Sequence, residues 1–246
     1  VSGTGAAGAE VLAPPAAKPA GSRQPAAVEL PLALRDIAKR WGKSPAPVLD
    51  GVDLDLDLGT KTWIGGRNGA GKTTLLRIAA GLIDSDRGSV SAWGFGPRER
   101  HSRYQQLIGF LPAGDRGLYA RLTVRHQLRF WAAVALLAPA VAGPRIEEVL
   151  DFFALRELAD RRVDRLSMGQ RQRVRIAMTF LHEPETVLLD EPLTSLDSEG
   201  AMLLEQAVSD LIARGGALLW CSPSGDHPDL EFDADWILER GKLVSA

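Results

Sequence analysis

Gly66-Arg-Asn-Gly-Ala-Gly-Lys-Thr73 satisfies the pattern Gly-x-x-x-x-Gly-Lys-[Ser/Thr], the loop that wraps a nucleotide's phosphates. Gly66, Gly69 and Gly71 let the backbone turn tightly enough for consecutive amides to point at anionic oxygens, and a side chain there would obstruct that nest. Asn68 and Ala70 fill the loop between them. Lys72 is expected to reach the β and γ phosphates and Thr73 to supply a hydroxyl to Mg²⁺. The helix beginning near Lys72, with Thr74 in its first turn, adds its positive N-terminal end. The bland alternative is a glycine-rich turn followed by an ordinary lysine, and the flanks argue against it. Lys61-Thr-Trp-Ile-Gly65 reads as a short buried strand, and Thr74-Leu-Leu-Arg-Ile-Ala-Ala80 as a helix ending at Gly81. Strand, loop and helix in that order make ATP or GTP the leading ligand.

Working outward, Val48 to Leu58 alternates with a strand's period of two, placing Asp53, Asp55 and Asp57 on a wet face. Those aspartates need no metal to explain them. Val28 to Leu34 reads as a further strand. Thr186-Val-Leu-Leu-Asp190 is a buried strand ending in acids, Gly200 to Arg214 a helix, and Ala217 to Cys221 another apolar strand. Strands alternating with helices imply an α/β fold whose parallel sheet binds ligand at its carboxyl ends. From Arg98 to Arg165 the pattern turns mainly helical, with Val124 to Leu137 and Arg145 to Ala159 as amphipathic segments, and reads as a helical insertion. Arg161, Arg162, Arg165, Arg171, Arg173 and Arg175 read as a solvated helix face. Residues 1–27, rich in Ala, Pro and Gly, read as a disordered tail.

A net charge of -2 gives no electrostatic case for nucleic acid as a partner, and none is expected. Cys221 is the single cysteine, which excludes an intramolecular disulfide and fits a reducing cytosol. The longest apolar stretch, Phe130 to Gly143, contains Pro139 and is too short to span a bilayer, and the first residues lack a secretory pattern.

Leu188-Leu189-Asp190-Glu191 closes an apolar strand with two carboxylates. Beside a phosphate-wrapping loop, Asp190 is the expected partner of Thr73 in holding Mg²⁺. Glu191, one residue on and pointing elsewhere, is placed to polarise an attacking water as general base. Leu166-Ser167-Met168-Gly169-Gln170, followed by an apolar-periodic helix to Leu181, places an N-cap serine at the start of a helix that presents free amides to an anion. This stretch resembles the LSGGQ signature of the ATP-binding cassette (ABC) ATPases, with Met168 at the variable central position.

The resemblance covers about Val28 to Ala246. It implies a P-loop ATPase core with a parallel sheet flanked by helices, an N-terminal antiparallel β subdomain and a helical insertion at about 98–165. It also implies that Ser167, Gly169 and Gln170 complete the ATP site of an opposite subunit, and that Trp41 stacks on adenine with the π-face of the family's usual Tyr. Thr194-Ser195-Leu196-Asp197 resembles the loop that communicates across the dimer, and Asp233 to Gly241 the family's closing strand-and-glycine pattern.

The chain departs from the family at two positions. Where a glutamine usually follows a strand like Leu107 to Pro112, the sequence reads Ala113-Gly114-Asp115-Arg116, with Asp115 the only substitute at hand. Where a Ser-His pair usually follows the Ala217 strand, it reads Ser222-Pro223, leaving His227 as the only histidine able to fold back. The expectation is tight binding with slow or partner-dependent hydrolysis. The implied role is the ATP-hydrolysing subunit of an ABC transporter at the cytoplasmic face of the membrane, with a second ABC ATPase subunit and a polytopic permease docking near Tyr119 to Trp131. Gly117 to Val124 resembles cassettes of drug, polysaccharide or lipid exporters. The alternatives are a regulatory subunit in an asymmetric dimer and a soluble, non-transport ABC ATPase.

Overall fold

Alternating apolar residues set the faces of two sheets. The computed structural model describes residues 29–42, 46–115 and 117–246, so the expected tail at 1–27 lies outside the described residues. Strands β1 (Leu32–Lys39) and β2 (Leu49–Leu56) pair antiparallel, Leu32 opposite Leu56 and Leu34 opposite Leu54. Val52, Leu54 and Leu56 are buried while Asp53, Asp55 and Asp57 face solvent, as the period of two requires. The aspartates serve the sheet surface. Asp55 is bridged by the Arg35 guanidinium, with Nη2 2.9 Å from Oδ2, and Asp53 accepts from the Asp36 amide at 2.9 Å.

β1 runs later in the sequence than expected from Val28 to Leu34, starting just after Pro31, which lacks the N–H a ladder needs. Its alternation breaks at a bulge where Asp36 adopts φ 49°. Gly88 crosses that bulge at φ 93°, and a Cβ there would sit 2.3 Å from the Arg35 carbonyl oxygen.

β3 (Lys61–Gly65) leads through the phosphate loop into α1 (Lys72–Ala79), after which β4 (Arg87–Ser91) joins β1 to complete the three-stranded sheet β2-β1-β4. Then come α2 (His101–Leu107), β5 (Ile108–Leu111), α3 (Val124–Val134), α4 (Pro139–Phe152) and the 3₁₀ turns Arg156–Leu158 and Val163–Arg165. The chain closes with α5 (Met168–Phe180), β6 (Thr186–Asp190), α6 (Ser198–Ala213), β7 (Ala217–Cys221), β8 (Ala234–Glu239) and β9 (Lys242–Ser245). The second sheet has the order β5-β6-β7-β3-β8-β9, parallel except for β9.

Neighbouring residues of these central strands feed opposite cores. Trp63, Val187, Leu189, Leu218 and Trp220 pack with α3, α4, α5 and α6. Ile64, Leu188, Leu219 and Cys221 pack with α1 and the three-stranded sheet. Each fully buried Leu or Val contributes roughly 1.5–3 kcal/mol.

α4 starts at Pro139 rather than Arg145. Proline at the first helical position loses only an N–H that would have had no intrahelical partner. It ends at Phe152 because Ala154 turns left-handed at φ 50°, so Arg156–Leu158 is a separate turn. The arginine cluster is also not one solvated face. Arg161, Arg162 and Arg165 are exposed, but Arg173 and Arg175 are 6% and 3% exposed. Positions two apart on a helix lie on nearly opposite sides, so a single wet face cannot hold both Arg173 and Arg175. Arg173 instead pairs with Glu199, Nη1 to Oε2 2.6 Å.

Candidate nucleotide site

The phosphate loop crosses the carboxyl end of β3. Gly71, the residue before α1, has φ 111°, and a Cβ there would stand 2.9 Å from the Val48 carbonyl oxygen. A Cβ on Gly66 would lie 2.8 Å from the Leu238 carbonyl oxygen. Lys72 is 5% exposed, and its Nζ donates to the carbonyls of Gly66 at 2.6 Å and Arg67 at 3.3 Å. The ammonium is thus held at the loop it opens from. A cleft of about 310 Å³ lies over this loop. Residues 68–74, among them Asn68, Gly69, Ala70, Thr73 and Thr74, form its floor, Trp41 and Val48 one wall, and Glu191 another. Trp41 is half exposed with the Lys39 ammonium 5.2 Å from its ring centroid.

The strand alternation that sends Leu188 to the α1 face sends Asp190 there too. Asp190 is 1% exposed, and no hydrogen bond of full geometry reaches either of its oxygens, although two donors lie close by. Burial pushes its carboxyl above the ordinary range. The Thr73 hydroxyl, the Ala113 N–H and the charges of Lys72 and Arg77 face it and oppose that shift. Two buried carboxylate oxygens beside a hydroxyl are the hard oxygen donors that Mg²⁺ takes, so Thr73 and Asp190 fit the ion. Glu191 leaves the alternation. It adopts φ 50°, its N–H donating to the Cys221 carbonyl at 2.8 Å, and this left-handed turn accompanies the placement of its side chain at the cleft. Such a conformation costs a non-glycine residue on the order of 1–3 kcal/mol.

At the start of α5, Ser167 and Gln170 form a reciprocal cap. The Gln170 N–H donates to Ser167 Oγ at 3.2 Å, and the Ser167 N–H to Gln170 Oε1 at 3.0 Å. Gly169 lies against the segment before α6, where a Cβ would stand 3.2 Å from Asp197 Oδ2. Ser167, Gly169 and Gln170 do not line the cleft of their own chain.

A family model described as ABC transporter matches residues 49–194. The chain belongs to the ABC transporter family. The ABC transporter ATP-binding protein NatA of Bacillus subtilis is 30% identical over 215 residues, 87% of this chain and 87% of that one. The Nod factor export ATP-binding protein I of Burkholderia orbicola is 30% identical over 217 residues, 87% of this chain and 70% of that one. A solved structure of an ATP-binding subunit of an ABC transporter superposes with a TM-score of 0.78 at 27% identity, covering 86% of this chain and 87% of that one. The chain is therefore an ATP-binding subunit of the ABC type with ATPase chemistry.

Within this ABC cassette, the two departures take definite forms. Ala113 turns only its backbone N–H toward Asp190. Asp115 is exposed and sits by the Arg175 guanidinium rather than in the cleft. His227 does not fold back to replace the histidine missing at Pro223. Its ring packs tilted against Trp63 with centroids 4.5 Å apart, Nδ1 lies 2.8 Å from the Pro228 carbonyl oxygen, and Nε2 lies 3.6 Å from Asp235. Trp63 also donates its indole N–H to Ser222 Oγ at 2.8 Å, and that hydroxyl donates to the Asp226 carbonyl at 2.8 Å. The loop after β7 is tied down by an aromatic residue of β3. Trp63, the one aromatic residue of β3, was the sequence signal for this tie.

Proposed function

We propose that residues 28–246 form one ABC ATPase domain, with a helical insertion at about 98–165, that pairs with a second cassette around ATP and drives a separate membrane permease. The observation that carries this reading is the convergence of the phosphate loop, Lys72 and Glu191 on one cleft, with Asp190 buried beside Thr73 and Lys72, while the capped N-terminus of α5 does not line it. The loop amides and Lys72 bind the phosphates, and Trp41 offers its exposed face to the base. Thr73 and Asp190 hold Mg²⁺, which when bound neutralises charge on the transferring phosphoryl group. Glu191 takes the proton of the attacking water. Ser167 and Gly169, at the free N-terminus of α5, close on the phosphates held by the opposite cassette. In this reading the α5 amides that the cap does not use exchange water for phosphate when ATP bridges the pair.

A second, apolar cleft of about 350 Å³ supports the permease reading. It lies between α3 and α5 beside β5, with Phe110, Trp131, Val134 and Met178 in its walls. Tyr119 and Phe130 stand exposed near it, edge to face at 5.1 Å. Among the described residues no helix is long and apolar enough to cross a membrane, so the membrane path belongs to another chain in this reading. Export is favoured by the similarity of Gly117 to Val124 to exporter cassettes and by the export function named for the Burkholderia relative. The cytoplasmic face of the membrane is the location this assembly requires.

The Glu191→Gln variant tests the sandwich. It should keep ATP affinity within about twofold and elute as an ATP-dependent dimer in size-exclusion chromatography with light scattering, because binding persists while the water loses its base. A monomer at saturating ATP and high protein concentration would sink the model. Ala113 and Pro223 favour one further reading, a regulatory half of an asymmetric dimer. Normal transporter turnover by the purified chain alone, abolished in Glu191→Gln, would exclude it.

A further inference from the structure

Arg175 is a buried cation with no place in the nucleotide chemistry above. It lies on α5, 3% exposed, and desolvation pushes its guanidinium below the ordinary range, a cost that demands good partners. Its Nη2 donates to the carbonyl of Pro112, immediately after β5. Its Nη1 donates to Oε1 of Gln172 at 2.5 Å, one helical turn away. Gln172, 5% exposed, passes the connection on, its Nε2 donating to the carbonyl of Pro192 at 2.8 Å. Pro192 is the residue after Glu191.

We propose that Arg175 is a positioning residue for ATP hydrolysis, clamping through the Pro112 carbonyl and through Gln172 the two backbone segments that flank Asp190 and Glu191. The geometry of one peptide unit makes the first clamp directional. The carbonyl of Pro112 and the N–H of Ala113 belong to the same planar trans peptide and point opposite ways. Holding the carbonyl on Arg175 aims the N–H at Asp190, which is where it lies. The second clamp holds the carbonyl of Pro192, in the peptide one residue beyond Glu191, and so fixes the chain as it leaves that left-handed residue. The planar fork of arginine suits this task because it serves two acceptors at a fixed angle, which a lysine cannot do. With alanine at position 113, the backbone is what this segment can offer the site. The same guanidinium lines the apolar cleft beside Pro112 and Gly117.

The test compares Arg175→Met, which keeps volume, with Arg175→Lys and Gln172→Ala, in the full chain. Affinity for a fluorescent ATP analogue should stay within about twofold, because the phosphate loop is untouched. The rate of phosphate release under saturating ATP should fall about 10–100-fold in Arg175→Met, the scale of a misplaced catalytic group. Arg175→Lys should recover only part of that loss. Hydrogen exchange should quicken together in peptides covering 111–118 and 191–197, a readout that does not depend on turnover. A rate within twofold of the parent, or affinity and rate falling in step, would overturn the proposal. So would faster exchange confined to α5, the mark of a merely structural role.

Discussion

Asp190 shows how a single residue is held in a costly state for chemistry. Buried with no hydrogen bond of full geometry, its carboxyl has a folded-state pKa raised above the ordinary 3.8, because desolvation outweighs the nearby Thr73 hydroxyl and Ala113 N–H. The folded chain therefore binds more protons than the unfolded chain between 3.8 and that raised value, and stability falls as pH climbs through this window. Below 3.8 the penalty is absent, and above the raised value it is fully present. Asp190→Asn should remove it, raising the nucleotide-free melting temperature at pH 7 by roughly 2–4 °C, the shift that about 1 kcal/mol makes in a chain of this size. The variant should also lose the extra thermal stabilisation that Mg²⁺ adds to ATP. A lower melting temperature than the parent at pH 7, measured by calorimetry, would show that the carboxylate is satisfied in solution. The sequence made Asp190 and Glu191 legible as acids after a strand, but not the left-handed turn that separates their directions. Period-two alternation predicts that adjacent residues face apart, and it says nothing of a residue that leaves the strand.

At the scale of the element, legibility followed the strength of the local pattern. β3, β6 and β7 have the expected limits because each is a five-residue run with an apolar centre that is buried almost from end to end. β4, with the sequence Arg-Gly-Ser-Val-Ser, has too little apolar character to announce itself and forms by pairing with β1. Arg175 was misread for a related reason. Charge alone suggests solvent, whereas the carbonyls that receive this guanidinium come from segments distant in sequence. α5 was the best-read helix, since Ser167 and Gln170 stand three apart and close a capping box. Removing that cap isolates its value. Ser167→Ala should lower stability by about 1 kcal/mol, seen as a lower urea midpoint at unchanged slope. An unchanged midpoint would mean that packing against Asp197 and Glu199 holds the helix start without it.

The whole molecule keeps two jobs at separate places on one sheet. Thr73 and Asp190 lie on its α1 face, and the apolar cleft lies at its β5 edge, where Arg77 of α1 and Phe110 of β5 meet Trp131 of α3 and Met178 of α5. In the proposed assembly, a permease docking in that cleft would act on α3, α5 and the segment after β5 without touching nucleotide. Val134 is suited to test this because it lines the cleft, is 52% exposed and ends α3, so a charge there is tolerated by the fold. Val134→Glu places an unpaired carboxylate where an apolar partner would have to bury it, a loss of several kcal/mol of docking energy. The variant should keep the melting temperature and nucleotide affinity of the parent. When the tagged chain is extracted from its own membranes in mild detergent, the parent should bring down a polytopic membrane protein identifiable by mass spectrometry, and Val134→Glu should bring down at least tenfold less. Equal recovery by both would move the docking site off this cleft. A parent that co-purifies with no membrane protein would instead favour the soluble, non-transport reading of the same ATPase.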